Sequence, residues 1–226
     1  MLAPVLLEGF HAVKHALRFG GDVRPLLTTS LPGLLKLAES HAPDLLDELT
    51  TRATEVDEVE FKKTVGRTHP TGVAGFAERP DLPFDRNAPI VLLDNPRNLG
   101  NFGAAIRVAA GLDAGGVLSI GDVDPWHPNV LRGSAGLHFA LPVARTESLD
   151  LNRELIAFDA DGELLKGTIP DDAVLAFGSE RHGLSERVRH RADRIVSLPM
   201  RDKVSSYNLT TSVAMALYHW VIHRAS

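Results

Sequence analysis

The stretch Leu198-Pro-Met-Arg-Asp-Lys-Val-Ser-Ser-Tyr-Asn208 runs directly into the apolar segment LTTSVAMALYHW, and this junction is the most informative part of the chain. An extended Leu-Pro-Met segment precedes a turn with paired serines, and an asparagine stands at the mouth of a helix. Helix N-termini leave backbone amides without partners inside the helix, so neighbouring donors and acceptors can bind a small polar ligand. The stretch therefore predicts a binding cleft beside the last helix.

Two further segments have the same strand-to-loop-to-helix character: LLDNPRNLGNFGAAIR, which begins at Leu92, and LAFGSERHGLS, which begins at Leu175. Short apolar runs alternate with helical segments beyond residue 89, namely 90–93, 116–120, 155–158, 174–177 and 195–198. This alternation predicts an α/β fold with a parallel sheet that carries helices on both faces. Ligands of such sheets bind at the carboxyl ends of the strands, where all three motifs lie.

Composition limits the class of protein. The 226 residues are 44% hydrophobic and 23% charged, as in ordinary globular proteins, and no apolar run approaches the roughly 20 residues of a membrane span. The absence of cysteine excludes disulfides, thiol catalysis and cysteine-ligated metal centres. No positive charge precedes the short apolar run at the N-terminus, so we expect no signal peptide and predict a cytoplasmic protein without a membrane partner.

The net charge of −5 conceals a separation of charge along the chain. Residues 39–60 hold eight acidic side chains against one basic, whereas residues 181–203 hold seven basic side chains against three acidic. Local clusters rather than total charge determine contacts with phosphate, so residues 181–203 are a candidate nucleic-acid surface. A solvated helical face with compensating salt bridges explains the same pattern equally well.

Residues 1–78 are predicted to form a small α/β domain. Phe10, Val13 and Leu17 lie on one face of a helix that Gly20-Gly21 ends. The remaining signals are a strand over 23–27, a helix with Pro32 in its first turn, a helix that Asp57 and Glu60 open as a capping box, and a strand over 73–76. Residues 79–89 are rich in proline and lack periodicity, which predicts a linker before a second domain over 90–226.

Together the three motifs resemble the SpoU/TrmH family of RNA 2′-O-ribose methyltransferases, over about residues 90–224. The resemblance implies the cofactor S-adenosyl-L-methionine, a C-terminal trefoil knot of the SPOUT type, and a homodimer in which both subunits contribute to each active site. With GFHAVKHAL near their start and HPTGVAGFA near their end, residues 1–78 resemble the ribosomal-protein-like domain that binds substrate RNA in many such enzymes. That domain accompanies enzymes of ribosomal RNA more often than those of transfer RNA, which favours ribosomal RNA as the substrate.

The first motif supplies Asn101 and Arg107. The family pattern has an asparagine close behind a proline, a glycine two residues later and an arginine six residues later. Asn98 follows Pro96 in the usual way, but only Asn101 has an arginine at the sixth position, so we choose Asn101 with Asn98 as the alternative. Asn101 is also the predicted N-cap, and Arg107 is expected to reach the loop mouth over Gly103, one turn earlier on the same face.

The second and third motifs supply the other predicted site residues. By resemblance, Glu180 orients the first motif and the substrate, and Asn208 fixes the knot loop and the arginine. The resemblance assigns the cofactor to Gly178, Leu198, Met200, Ser206 and Tyr207, with main-chain groups near Gly178, Leu198 and Tyr207 holding its adenosine part. A core-facing stripe of the last helix, without a functional role, is predicted from helical spacing at Leu209, Val213, Ala216, Leu217 and Trp220.

Transfer of a methyl group from a sulfonium to a ribose hydroxyl requires alignment and removal of the hydroxyl proton. Arg107 serves the 2′-hydroxyl either as a base or, since arginine is essentially never deprotonated in proteins, only as a positioning group. Two other classes stay open: an RNA-binding accessory protein without turnover, and a phosphate-handling enzyme that uses the Arg107 loop. No metal is predicted, because the sequence DPWHP favours a helix start over a metal site at Asp122, Asp124 and His127.

Overall fold

The computed structural model describes residues 3–224, which divide into two compact units. The first unit runs to Asp81 and also includes Ala135–Ala140. The second unit comprises Leu82–Ser134 and the chain from Leu141 onward. The division after Asp81 falls inside the proline-rich segment 79–89, whereas no sequence signal indicates that residues 135–140 belong with the first unit.

The first unit is built on a four-stranded sheet with strand order β1-β4-β2-β3. Its strands are β1 (Val5–Glu8), β2 (Val23–Thr28), β3 (Ala53–Glu55) and β4 (Val73–Ala77). Its α-helices are α1 (Phe10–Arg18), α2 (Leu31–His41), α3 (Leu46–Arg52) and α4 (Glu58–Val65). Strands β2 and β3 pair in parallel, and the other pairs are antiparallel.

The sequence signals in this unit locate its longer elements correctly. Helix α1 ends before Gly20, and Pro32 lies in the first turn of α2. Asp57 caps α4, because its Oδ1 accepts a hydrogen bond of 2.8 Å from the backbone nitrogen of Glu60. Strand β1, strand β3 and helix α3 were not predicted, since each is too short to display a period.

The second unit contains a six-stranded sheet with strand order β10-β8-β9-β5-β6-β7, in which every pair is parallel. Its strands are β5 (Ile90–Asp94), β6 (Gly116–Ile120), β7 (Val143–Arg145), β8 (Leu155–Leu164), β9 (Val174–Phe177) and β10 (Arg194–Ser197). Its α-helices are α5 (Leu99–Gly111), α6 (Pro128–Gly133), α7 (Glu186–Arg191) and α8 (Leu209–Arg224).

Burial explains why the chain forms this sheet. Every residue of the central strands β5 and β9 is buried. Because successive side chains of a strand point to opposite faces, complete burial means that both faces of the sheet are covered. The predicted stripe of α8 is confirmed, since its five residues are the buried ones of that helix. The predicted α/β architecture with a parallel sheet is therefore confirmed.

Two features at the edge of the sheet differ from the prediction. Strand β8 continues beyond Phe158 to Leu164, and its pairing with β10 shifts register between Ile195 and Val196. A Cβ atom at Gly162 would lie 2.6 Å from the backbone carbon of Val196, so only glycine permits this approach.

In the described part of the chain, the helices are all too short or too polar to cross a membrane.

Candidate active site

A cavity of about 470 Å³ lies in the second unit, where β8 passes Phe158 and β9 ends at Phe177. Parallel strands bring their carboxyl ends to one edge, so the loops that follow them meet there. Seven of the nine residues predicted for the site line this cavity: Gly178, Glu180, Leu198, Met200, Ser206, Tyr207 and Asn208. The second and third motifs therefore form one concave surface, while the roles assigned to these residues stay predictions.

Asn101 connects all three motifs although it does not line the cavity. Its side-chain nitrogen donates a hydrogen bond of 2.8 Å to Oε1 of Glu180, and its Oδ1 accepts one of 3.2 Å from Nδ2 of Asn208. The carboxylate only accepts hydrogen bonds, which fixes the orientation of the Asn101 amide. The hydroxyl of Thr210 also donates to the carbonyl oxygen of Asn101 at 3.2 Å. The start of α5 is thus fastened to both other motifs.

The N-cap of α5 is Asn98, and the prediction of Asn101 for this position was wrong. Asn98 has extended backbone angles, and its Oδ1 accepts a hydrogen bond of 3.0 Å from the backbone nitrogen of Asn101. Asn101 itself lies in the first helical turn. Since Asn98 satisfies the exposed amide, the side chain of Asn101 is available for Glu180 and Asn208.

Arg107 is the predicted site residue that the single chain does not bring to the cavity. It is exposed on α5 and is not among the residues that line the cavity. Six residues separate it from Asn101, and at 3.6 residues per turn this turns the two side chains about 120° apart around the helix. Among residues 3–224 the structure records no hydrogen bond or ion pair of the Arg107 side chain.

Gly103 explains why the predicted path of Arg107 is wrong. A Cβ atom at Gly103 would lie 2.3 Å from the carbonyl oxygen of Val130 and 2.7 Å from the Cα of Gly133. The space over this glycine is therefore filled by the backbone of α6. Gly103 allows two helices to pack closely, and it does not provide a passage for the arginine side chain.

The loop after β9 is held in a fixed shape by its own backbone. Ser179 and Gly183 exchange two backbone hydrogen bonds of 2.9 Å, and the buried carboxylate of Asp94 accepts one of 2.6 Å from the nitrogen of Ser185. A Cβ atom at Gly178 would lie 2.1 Å from the backbone carbon of Gly183. The returning loop occupies the space that a side chain would need at Gly178, and Glu180 in the same loop is exposed.

The third motif is closed by side-chain contacts to the backbone. The hydroxyl of Tyr207 donates a hydrogen bond of 2.8 Å to the carbonyl oxygen of Pro199, and Oδ1 of Asn208 accepts one of 2.9 Å from the nitrogen of Thr210. The first contact joins the two ends of the loop. The second satisfies a free amide at the start of α8. The cleft predicted at this junction is present.

Nine lining residues were not predicted for the site, and three of them, Phe158, Asp159 and Phe177, make contacts that shape it. The rings of Phe158 and Phe177 stack with centroids 4.7 Å apart and planes 12° apart, because these residues are register partners on neighbouring strands. Asp159 follows Phe158 and forms an ion pair with Arg189 of α7. The sequence contained one signal for the ring pair, because Phe158 and Phe177 each end an apolar run. The ends of neighbouring parallel strands lie side by side, so these two rings could have been expected to meet.

Two of the three residues considered for a metal, Asp124 and His127, have structural roles. Oδ1 of Asp124 accepts a hydrogen bond of 3.0 Å from the nitrogen of Trp126, and Nδ1 of His127 accepts one of 3.1 Å from the nitrogen of Asn129. His127 is therefore the N-cap of α6, which confirms the predicted helix start. Within residues 3–224 no three acidic or histidine side chains converge in a way that could hold a metal ion.

Comparison with known proteins gives the same family. The model of the SpoU rRNA Methylase family matches residues 88–218. The 23S rRNA (adenosine(1067)-2′-O)-methyltransferase of Streptomyces laurentii is 31% identical over 95% of this chain and 84% of that protein. The 23S rRNA (guanosine(2553)-2′-O)-methyltransferase RlmP of Bacillus subtilis (strain 168) is 28% identical over 95% of this chain and 87% of that protein.

The fold also matches a solved structure with bound cofactor. The SpoU methyltransferase AviRb of Streptomyces viridochromogenes, in complex with AdoMet, superimposes with a TM-score of 0.78 at 25% identity, over 99% of this chain and 91% of that chain. With three motifs that meet at one sheet edge and a family model that spans more than half of the sequence, the chain belongs to the SpoU family of RNA 2′-O-ribose methyltransferases.

Proposed function

We propose that this S-adenosylmethionine-dependent RNA methyltransferase acts on ribosomal RNA and binds its cofactor in the cavity lined by Gly178, Leu198 and Tyr207. Two relatives that align with nearly the whole chain are named as 23S ribosomal RNA enzymes, which supports ribosomal over transfer RNA. Residues 1–78 are the proposed RNA-binding domain, followed by the linker 79–89 and the catalytic domain 90–226. The cytoplasmic location and the trefoil knot stay predictions.

The residues of the cavity fit the cofactor. Its volume of about 470 Å³ lies within the range of small-molecule sites. The stacked rings of Phe158 and Phe177 offer an apolar wall, and Ser205 and Ser206, which also line the cavity, offer hydroxyl groups. When bound, S-adenosylmethionine supplies a methyl group that the positive sulfonium activates for transfer.

The proposed role of the side chains of the site is to position the RNA, not to react with it. Asn101 is hydrogen-bonded to Glu180 at 2.8 Å and to Asn208 at 3.2 Å, so the three side chains present one polar surface beside the cavity. Arg107 is proposed to position the 2′-hydroxyl and a neighbouring phosphate with its forked donors. We favour positioning over a base role because a guanidinium keeps its proton, and the hydroxyl proton then leaves to phosphate or water.

A homodimer is proposed because Arg107 does not line the cavity of its own chain. In a two-fold dimer, Arg107 of the partner subunit completes each site. An exposed apolar surface on the same unit supports self-association. Leu164, Tyr218 and Ile222 border a pocket of about 270 Å³ and are exposed in the single chain.

Subunit complementation tests the shared site. Arg107→Ala and Glu180→Ala are each expected to abolish methyl transfer, because each removes one component from both sites. When the two variants are co-expressed, mixed dimers contain one intact site, so about a quarter of wild-type activity is expected. No recovery, with mixed dimers demonstrated by affinity tags, overturns the contribution across subunits.

The substrate is tested separately by methylation in vitro. The wild-type protein receives labelled S-adenosylmethionine with either a ribosomal RNA transcript or a transfer RNA pool. Label in a ribose 2′-position of the ribosomal transcript alone is the expected result. Label in transfer RNA alone overturns the proposed substrate while leaving the reaction class intact.

A further inference from the structure

The charges around the cavity are arranged unevenly. Of the described residues that line it, only Asp159 and Glu180 carry a charge at neutral pH, and both are anionic. Arg189 neutralises part of this charge through its ion pair with Asp159, but it does not line the cavity. Asp159 therefore lines the cavity, whereas its cation Arg189 lies on α7 outside the lining.

The carboxylate of Asp159 is held in place by two contacts. Its Oδ1 accepts a hydrogen bond of 3.1 Å from the backbone nitrogen of Asp161, and its Oδ2 contacts the guanidinium of Arg189. Its side chain is only 16% exposed, against 37% for Arg189. Partial burial strengthens the field of a charge, because less water screens it.

The cofactor loses one positive charge in the reaction. Before transfer its sulfur is a sulfonium, and its ammonium and carboxylate groups cancel, so the molecule has a net charge of +1 by its chemistry. When the methyl group leaves with the ribose oxygen, the S–C electron pair stays on sulfur, and the product S-adenosylhomocysteine carries no net charge. A negative cavity therefore distinguishes cofactor from product.

We infer that Asp159 is a specificity-determining residue that makes the cavity prefer the cationic cofactor over its neutral thioether product. The inference rests on the proposed cofactor site. It adds a physical reason for product release, since the attraction that favours binding disappears with the charge of the sulfur. Asp159 lines the cavity, and within residues 3–224 no recorded hydrogen bond or ion pair joins it to Asn101, Glu180 or Asn208.

Isothermal titration measures the selectivity ratio, defined as the dissociation constant of S-adenosylhomocysteine divided by that of S-adenosylmethionine. Asp159→Asn keeps the shape and the acceptor for Asp161, and it is expected to lower the ratio about tenfold, the effect of one nearby charge. Arg189→Gln removes the compensating cation and is expected to raise the ratio. Asp161→Asn is the matched control, because its exposed side chain does not line the cavity, and it leaves the ratio unchanged.

The opposite signs separate electrostatics from structure. If the ion pair only joins β8 to α7, both Asp159→Asn and Arg189→Gln weaken the two ligands alike, and that outcome overturns the inference. Wild-type protein supplies a measurement that needs no variant. Sinefungin carries an amine cation in place of the methylated sulfur, so it should bind nearer to S-adenosylmethionine than to S-adenosylhomocysteine, and binding like the neutral product overturns the inference.

The same titrations distinguish two failures. If wild-type protein binds none of the three ligands, the proposed cofactor site is wrong. If all three bind and the ratio is insensitive to Asp159→Asn, the cofactor site stands and the role of Asp159 is wrong. A raised salt concentration should lower the wild-type ratio more than that of Asp159→Asn, because salt screens the charge of the carboxylate.

Discussion

The side-chain nitrogen of Asn101 lies 2.8 Å from Oε1 of Glu180, across 79 residues of sequence. The first turn of α5 and the loop after β9 are thereby joined by a hydrogen bond to a charged group. Such bonds contribute more than neutral ones, and their geometry is more restrictive. The polar surface proposed to align the RNA therefore depends on a single amide.

Asn101→Asp should decrease methyl transfer strongly. The variant replaces the donor by a second carboxylate beside Glu180, and loss of a charge-assisted hydrogen bond corresponds to about 10- to 100-fold in rate. Affinity for S-adenosylmethionine should change much less, because Asn101 does not line the cavity. Asn98→Asp is the control, since aspartate caps helices as well as asparagine. Equal activities of the two variants contradict the prediction.

Asn98→Ala should reduce stability instead of catalysis. The variant removes the acceptor for the backbone nitrogen of Asn101, and loss of an N-cap lowers the free energy of unfolding by about 1 kcal/mol. Urea denaturation followed by circular dichroism measures this change. An unaltered midpoint of Asn98→Ala argues against the capping role. A midpoint of Asn98→Asp that is as low as that of Asn98→Ala also argues against it.

Gly103→Ala should destabilise the second unit. The added methyl group would lie 2.3 Å from the carbonyl oxygen of Val130, and overpacking of this kind lowers the free energy of unfolding by about 1–3 kcal/mol. Gly111→Ala, in the same helix, meets nothing within 4 Å and should be neutral or stabilising by up to about 1 kcal/mol. Denaturant midpoints compare the pair, and equal shifts contradict the proposed helix contact.

Stability should fall as His15 is protonated. Burial lowers the pKa of His15, with smaller contributions from Lys14, Arg18 and His11, although the contact of 2.7 Å to the carbonyl oxygen of Ala135 opposes this. Between the folded and unfolded pKa values the unfolded chain binds more protons, so stability is complete above about 6.5 and declines below it.

The measurement compares wild-type protein with His15→Gln in urea titrations between about pH 8 and 5. The variant lacks the titrating group, so the wild type should lose stability relative to it as the pH decreases. Curves that stay parallel over this range mean that the burial of His15 has no thermodynamic effect.

The sequence was sufficient to predict the α/β architecture and to predict that the three motifs lie at one edge of the sheet. Apolar runs that alternate with helices require parallel strands, and the loops after such strands meet at one edge. The stripe from Leu209 to Trp220 was equally clear, because five apolar residues at helical spacing can share only one face.

The predictions failed where a residue type indicates close packing but does not identify the group that packs against it. Gly103 and Gly178 both mark close approach, but only coordinates identify the backbone of α6 and of the returning loop as the neighbours. Asn98 and Asn101 stand three residues apart, so either suits the start of a helix. The paired rings of Phe158 and Phe177 depend on strand register, which periodicity does not give.

The wall of the larger cavity comes entirely from residues between Phe158 and Ser212. During translation, more than half of the polypeptide therefore emerges before any part of this wall exists, and the wall is incomplete until Ser212 has left the ribosome. A nucleoside ligand that fits the cavity acts on the finished fold and slows its unfolding, whereas it offers the growing chain no assistance.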